Sequence, residues 1–414
     1  MSLKNQTIIV DAQKIVFPGR SLCRCSDGIA LFTEGLLPME KASVLVTRDK
    51  KSFREGIVKE IVEKSSERIE PACNLFGKCG GCAFQNTSYE NQIKYKNEYV
   101  CELLNFLNIP ISPTLKNPDI WHYRNKMEFS FFENDGKADL GLHCKGSFNR
   151  YVSVSNCLIC DKSFMQAANI IRDFAQKENL SAHNNKTHIG FLRHLVLRKA
   201  QNNNQMLINI VTMPASDILP SGEKIMRTLA DKLKDLADSI HWTQNGKLSD
   251  AVIVDNIDLL SGAENIREKL TIDGKDYFFN ISPFSFFQTN SKGTQALYNA
   301  VLSFLSPDKS DVLLDLYCGT GTISISMSAN VKKVIGIEMN AQAVEDAKAN
   351  AALNNADNVE FYAASAQDWV KETKEKFSCI VLDPPRNGLT NEVIKFLLEN
   401  EPKKIVYVSC NPST

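Results

Sequence analysis

The sequence predicts an α/β protein of three parts: a parallel-sheet α/β domain at the C-terminal end, a β-rich central domain before it, and a small OB-like β-barrel at the start. Three observations predict this. The 414 residues exceed the roughly 250–300 that one hydrophobic core holds. After residue 290 strand-like and helix-like runs alternate. The first 64 residues hold only short strand-like runs between turn signals.

The barrel strands are expected at TIIVDAQKIVF, DGIALFTEG, ASVLVTR and FREGIVKEIVE, separated by Pro18-Gly19, Asp27-Gly28 and Glu34-Gly35. The loop Arg48 to Arg54 carries four basic residues and an aromatic, a combination suited to RNA. An amphipathic helix is expected over 86–108. Strands follow at KMEFSFFE, YVSVSN, HLVLRKA, QMLINIVTM, DAVIVDN (250–256) and around YFFNI, interrupted by helices near 162–178 and 221–238. The last part reads as strand VLLDLYC, helix GTISISMSA, strand KVIGIE, helix QAVEDAKANAALN, and strands NVEFYAA, CIVLD and KIVYVSC.

In LLDLYCGTGTISISMS, Asp315 ends a strand, and Gly319 and Gly321 open a helix. Glycines let a backbone approach a ligand closely, and a helix N-terminus offers free amides. The next strand ends in Glu338, placed to take ribose hydroxyls, and Asp368 is expected near an adenine after the third strand. A third glycine is missing, since Ile323 and Ser324 stand there, so the dinucleotide pattern is excluded. The D-x-x-C-G-x-G form resembles the S-adenosylmethionine loop of class I (Rossmann-like) methyltransferases.

Strand four ends in DPPRNG, Asp383 to Gly388, where two prolines stiffen the loop. Amino-methyltransferases often place an aromatic at the end of this motif. Arg386 follows here, which leaves carbon as the acceptor. A carbon acceptor explains Cys410, held at the end of the last strand by Ile405 to Val408 and followed by Asn411-Pro412. Uracil C5 is a poor nucleophile until a thiolate adds to C6.

LDLYCGTGT, DPPRNG and VSCNP, in this order, resemble the RNA (uracil-5)-methyltransferases; ISPFSFFQTN (281–290) and WHYRNKMEFSF (121–131) resemble two further segments of that family. The resemblance runs from about residue 17 onward. It implies a TRAM barrel (1–66), a central domain with a cysteine cluster (67–85 and 118–280) and a class I methyltransferase domain (86–117 and 281–414). It implies that Cys410 is the nucleophile and that Asp383 faces the target base. Gln288 would lie at the cofactor and the uracil, with the aromatic Phe286 in the same segment. Gly319, Gly321 and Glu338 match the S-adenosylmethionine contacts, and Asp315, Tyr317 and Asp368 are grouped with them. The target uridine would be flipped from its stack.

Twelve cysteines invite a reading of spacing. Cys73-x5-Cys79-x2-Cys82, with Cys157 and Cys160 far downstream, is ligand arithmetic for zinc or an iron–sulfur cluster. The ribosomal-RNA branch of the resembled family has this spacing with a [4Fe–4S] cluster, which makes zinc the lesser expectation. Its fourth ligand lies in a Cys-x-Ile segment, matched by Cys157. The remaining cysteines, Cys144 among them, show no ligand spacing.

Lys+Arg and Asp+Glu are equal at 48 each, so net charge does not identify a polyanionic partner. No run reaches a membrane span, and the N-terminus lacks a secretory pattern, so a cytoplasmic monomer is expected. The barrel and cysteine cluster point to 23S ribosomal RNA as substrate, transfer RNA being the second expectation and an inactive RNA-binding homologue the third. The resembled family removes the C5 proton with a glutamate a few tens of residues after the cysteine. The chain ends at Thr414, so this form is expected to form RNA adducts poorly or to release them poorly.

Overall fold

The computed structural model describes residues 2–247 and 255–413, so most of the strand expected over 250–256 lies outside the described residues. The chain divides into two compact units. One is built mainly from residues up to Lys116 and from Leu142–Val152, the other from Asn117–Gly141 and Ser153–Cys410.

In the first unit β1 (Thr7–Val16), β2 (Arg20–Arg24), β3 (Ala30–Glu34), β4 (Lys41–Asp49) and β5 (Phe53–Glu63) close a barrel in the order β1-β2-β3-β5-β4. Strand alternation makes its core: Val10, Ala12, Leu31, Ala42, Val44 and Val46 point inward and are buried. β2 is absent from the sequence reading. Its inward residues are Ser21 and Cys23, too small and polar to make an apolar run, and Ser21 Oγ donates to Leu36 O at 2.7 Å. The basic loop also differs from expectation. Arg54 is only 3% exposed and donates to both carboxylate oxygens of Asp27 and to Asp49. Lys50 and Lys51 stay exposed, and Arg48 lies over the Phe53 ring. The helix α1 (Tyr89–Leu104), grouped from sequence with residues 281–414, lies in this unit, where Tyr95 packs with Ile15 and Leu37. Ser88 caps it by accepting from Asn91 N at 3.2 Å.

The second unit contains an antiparallel-rich sheet with β6 (Lys126–Asn134), β7 (Lys137–His143), β9 (Leu192–Ala200), β10 (Gln205–Thr212), β11 (Ser239–Gln244) and β12 (Asn256–Gly262), in the order β12-β11-β10-β9-β6-β7; the short β8 spans Tyr151–Ser153. Helices α2 (Lys162–Lys177), α3 (Ala215–Ile218) and α4 (Gly222–Leu233) accompany it. α2 forms because Phe164, Ala167, Ala168, Ile171, Phe174 and Ala175 repeat at helical spacing, with Asp161 capping the start. The hairpin β13 (Ile266–Ile272) and β14 (Lys275–Ile281) follows.

A five-stranded parallel sheet completes this unit: β15 (Val312–Leu316), β16 (Lys333–Glu338), β17 (Val359–Ala363), β18 (Cys379–Leu382) and β19 (Lys404–Tyr407), in the order β17-β16-β15-β18-β19. Side-chain alternation feeds a core on each face. Leu313, Val334 and Val381 pack with α5 (Ser291–Leu305), α6 (Thr322–Ser328) and α7 (Ala341–Leu353). Leu314, Leu316, Ile335, Ile380 and Leu382 pack with α8 (Ala366–Glu372) and α9 (Asn391–Asn400). Among the described residues no helix is long and apolar enough to cross a membrane.

Candidate active site

Strand order reverses beside β15: β16 and β17 continue to one side, β18 and β19 to the other. Crevices form outside the carboxyl ends of strands at such a reversal. In register, Leu316 pairs with Leu382 and Leu382 with Tyr407, and Val408 N donates to Leu382 O at 2.8 Å. Tyr317, Asp383 and Cys410 therefore leave adjacent strands at one sheet edge.

The loop after β15 is tightly drawn. Tyr317 takes φ +69°, and the amides of Tyr317 and Cys318 both donate to Ile337 O. Gly321 has φ +77°, and a Cβ there would meet the Phe361 ring at 2.6 Å, so glycine is required. At Gly319 nothing lies within 4 Å of where a Cβ would be, which leaves the loop open to a ligand. Glu338 accepts from Gly319 N at 3.1 Å and from Asn340 N at 2.8 Å. It braces the loop from the neighbouring strand.

Asp315 is fully buried. Ser324 Oγ donates to its Oδ2 at 2.6 Å, while Oδ1 has no partner. Burial pushes its carboxyl up to about 7, aided by the charges of Asp383 and Glu338 and opposed by Ser324. Asp383, just after β18, is pushed up to about 6 by burial alone. Two carboxyls at one sheet edge thus titrate near neutrality. Cys410 is exposed and follows the end of β19, the strand next to β18.

The segment 281–291 is clamped through its main chain. Arg198, 3% exposed, donates to Pro283 O at 3.1 Å and Ser285 O at 2.6 Å. Thr320 Oγ1, from the glycine loop, donates to Phe286 O at 3.2 Å. Asn125 Nδ2 donates to Gln288 O and to Ser291 Oγ, and its amide donates to Thr289 O. Ser291 Oγ also donates to Glu268, a fully buried carboxylate that accepts the amides of Gln201 and Asn202. With that backbone fixed, Phe287 points into the core against Phe279 while Phe286 is 65% exposed. Gln288 is half-buried.

The sequence reading missed Asn125, Arg198, Glu268 and Thr320 as individual residues. The available signal was a polar side chain set inside an apolar strand run, as Arg198 is in HLVLRKA. Asp368 stands in the first turn of α8. Its carboxylate accepts from Ser365 Oγ and Lys371 Nζ, while its amide donates to Ser365 Oγ, a reciprocal cap. These bonds hold its carboxyl below the usual range.

The cysteines divide between the units. Cys73, Cys79 and Cys82 lie half-buried in the first. Gln85 brackets them, accepting from Cys73 N at 3.1 Å and donating to Cys82 Sγ at 3.3 Å, and Gly81 N donates to Cys79 Sγ at 3.4 Å. In the second unit the Cys157–Cys160 segment pairs with Arg124, whose amide donates to Ile159 O, and His122 Nδ1 donates to Cys160 O. Cys160 is buried and its thiol turns toward Cys157 O at 3.5 Å. The hydrogen bond from Cys160, then the amides of Ile159 and Cys160 and the charge of Arg124, lower the Cys157 thiol, while the Cys160 thiol is pushed up. Among the described residues no three His, Cys, Asp or Glu side chains gather as a metal-binding group.

A family model described as tRNA (Uracil-5-)-methyltransferase matches residues 88–414. An uncharacterized RNA methyltransferase of Caldanaerobacter subterraneus is 39% identical over 415 residues, covering 99% of this chain and 91% of that protein. One from Clostridium tetani is 36% identical, with 99% and 90% covered. Among solved structures, the tRNA (uracil-54, C5)-methyltransferase of Pyrococcus abyssi in complex with S-adenosyl-L-homocysteine matches with a TM-score of 0.75 and 27% identity, covering 98% of this chain and 90% of that one.

Proposed function

Because the chain belongs to the tRNA (uracil-5-)-methyltransferase family, an S-adenosylmethionine-dependent RNA methyltransferase family, we propose that it methylates C5 of a uridine in 23S ribosomal RNA, with Cys410 as the nucleophile. The observation that carries the site is the emergence of Tyr317, Asp383 and Cys410 from three neighbouring strands at the reversal of the sheet. The enzyme acts in the cytoplasm as a monomer.

The loop suits the cofactor. Asp315 Oδ1 is buried without a partner, and the face at Gly319 is open; both fit a polar ligand bearing a positive charge. Asp315, Tyr317, Gly319, Gly321 and Glu338 would hold it, with Asp368 at its adenine end. Bound there, S-adenosylmethionine supplies an electrophilic methyl group. The Cys410 thiolate adds to uracil C6, which turns C5 into the carbon nucleophile. Asp383 faces the base, its carboxyl placed to hydrogen-bond the uracil edge as charge develops there. Phe286 offers an exposed ring for stacking a flipped base, and Gln288 reads its edge. Loss of the C5 proton to a base then frees the thiolate.

The same reading gives Cys73, Cys79, Cys82 and Cys157 a [4Fe–4S] cluster. The donor set fits soft thiolate ligation: Cys79 and Cys82 sulfurs already accept N–H groups, as cluster sulfurs do. Cys160 is turned inward, which favours Cys157 as the fourth ligand. Such a cluster would brace the protein near its RNA.

One observation favours transfer RNA instead. The Pyrococcus enzyme, named for a transfer RNA uridine, matches 98% of this chain, so the barrel does not separate the two substrates. Nucleoside mass spectrometry of 23S and transfer RNA, separated from cells with and without the gene, decides. Loss of 5-methyluridine from 23S alone supports the proposal; loss from transfer RNA alone replaces it with the second reading.

A further inference from the structure

Glu268 sits on β13 with its side chain fully buried, and the proposed reaction gives it no part. An ionised carboxylate offers about four lone-pair sites and no proton. At Glu268 a donor fills each. Gln201 N at 2.8 Å and Ser291 Oγ meet Oε2, while Asn202 N at 2.9 Å and Lys269 N at 3.0 Å meet Oε1. Burial raises the Glu268 carboxyl and the donors oppose that rise. With two donors on each oxygen, no site is left for a proton, and Glu268 only accepts.

That fixes the direction of every bond downstream. The Ser291 hydroxyl gives its single proton to Glu268, so toward Asn125 it can only accept. The NH2 and oxygen of a carboxamide are alike in shape, and the partners decide which way the group faces. Asn125, 4% exposed, therefore presents Nδ2 to Ser291 Oγ at 2.9 Å, and the same Nδ2 reaches Gln288 O at 3.1 Å. A relay thus runs from a buried charge on β13, through the first residue of α5, to the main chain of Gln288. Gln201 steadies its middle: Oε1 accepts from Ser291 N at 3.3 Å, and Nε2 donates to Tyr123 O at 3.0 Å.

We propose that Glu268 is a positioning residue for uridine recognition, its charge setting the polarity of the relay through Ser291 and Asn125 that holds the Gln288 main chain. The proposal rests on the reading of Gln288 as a contact of the target base. It specifies what a neutral side chain of the same shape does. In Glu268→Gln the remaining oxygen settles on the amides of Asn202 and Lys269, where two donors meet it. The new NH2 then faces Gln201 N and Ser291 Oγ. Ser291 accepts from it and turns its own proton to Asn125, which flips to receive it. Asn125 Oδ1 then stands against Gln288 O, acceptor against acceptor, and the segment shifts. Removing the hydroxyl in that background lets Asn125 turn back.

The test uses the purified 414-residue protein, S-adenosylmethionine and RNA isolated from cells that lack the gene, with initial rates of methyl transfer measured. Glu268→Gln should raise KM for RNA about 10-fold, with kcat within about threefold and cofactor affinity unchanged. Loss of folded protein alone would lower kcat and leave KM where it was. The double variant Glu268→Gln with Ser291→Ala should return KM to within about threefold of the parent, a recovery that a merely structural role does not give. Asn125→Ala, which removes no donor from Glu268, should raise KM as Glu268→Gln does and decides the matter if Glu268→Gln does not fold. A double variant no better than Glu268→Gln, or a parental KM in Asn125→Ala, overturns the proposal. Hydrogen exchange over residues 281–291 reads the relay without activity: faster than the parent in Glu268→Gln and Asn125→Ala, and slowed again in the double variant. A parent that transfers no methyl group counts against the function reading alone, and the order of exchange rates then decides for or against the relay.

Discussion

The barrel and the edge of the parallel sheet both bury charge, and they treat it in opposite ways. In the barrel the Arg54 guanidinium meets both oxygens of Asp27 and one of Asp49, so every charge in the knot has a counter-charge. Those contacts hold both carboxyls below their ordinary range, the first cause at Asp27 being Arg54 and at Asp49 the amide of Leu3. At the sheet edge Asp315 has Ser324 and no counter-charge, with a second carboxyl nearby, and Asp383 has burial and no counter-charge. A satisfied buried charge rigidifies its surroundings, whereas an unsatisfied one marks a place where a ligand completes the structure. The same residue types thus report architecture in one unit and chemistry in the other.

The largest effect expected from breaking this contrast comes from Cys410→Ala. Methyl transfer to uridine should fall by more than about 10³-fold, while S-adenosylmethionine affinity by calorimetry stays unchanged. Residual transfer within tenfold of the parent would remove Cys410 from the chemistry. Asp315→Asn comes next. It keeps the shape and the Ser324 contact but loses the charge, so cofactor affinity should weaken about 10- to 100-fold while the ligand-free protein melts no lower than the parent. A lower melting point with unchanged affinity would make Asp315 structural, like Asp27.

Arg54→Ala should do the reverse. It leaves Asp49 half-buried with no counter-charge, so the melting midpoint of the barrel should drop by about 5 °C. Cofactor affinity should not move, and a change in it would end the separation between the two regions. The smallest effect is a difference in pH dependence. Asp315 and Asp383 hold their protons more tightly folded than unfolded, so the stability they lend is complete below their ordinary value of 3.8 and is lost as pH rises through about 6 to 7. Asp27 and Asp49 lend stability above that value and lose it as pH falls below it. Hydrogen exchange on the ligand-free protein at pH 5 and pH 8 should show the sheet edge loosening at the higher pH and the barrel unchanged between them.

Much of the parallel sheet is legible in the sequence, because strands buried on both faces read as unbroken apolar runs, and KVIGIE coincides with β16. β11 is not legible. Ser239, His241 and Thr243 alternate along it and are all buried, so polar residues occupy core positions and disguise the strand. The helix expected over 221–238 stops at Leu233 for the same reason: the residues after it feed that strand. β13 is hidden by Glu268, a core carboxylate satisfied by the amides of Gln201 and Asn202. At the site, the glycine loop and Cys410 carry short motifs that survive reading in one dimension. The clamp from Asn125 and Arg198 joins residues far apart in sequence and acquires meaning only once strands are in register.

The clamp on residues 281–291 has a consequence for engineering. Arg198, Thr320 and the Asn125 amide group all grip carbonyl oxygens, which every amino acid possesses. At 286 and 288 the path of the segment is thus indifferent to the side chains displayed, and these two positions behave as sockets in a fixed rail. A library randomised at those two positions should keep its fold across most members, so that differences among them report recognition rather than collapse.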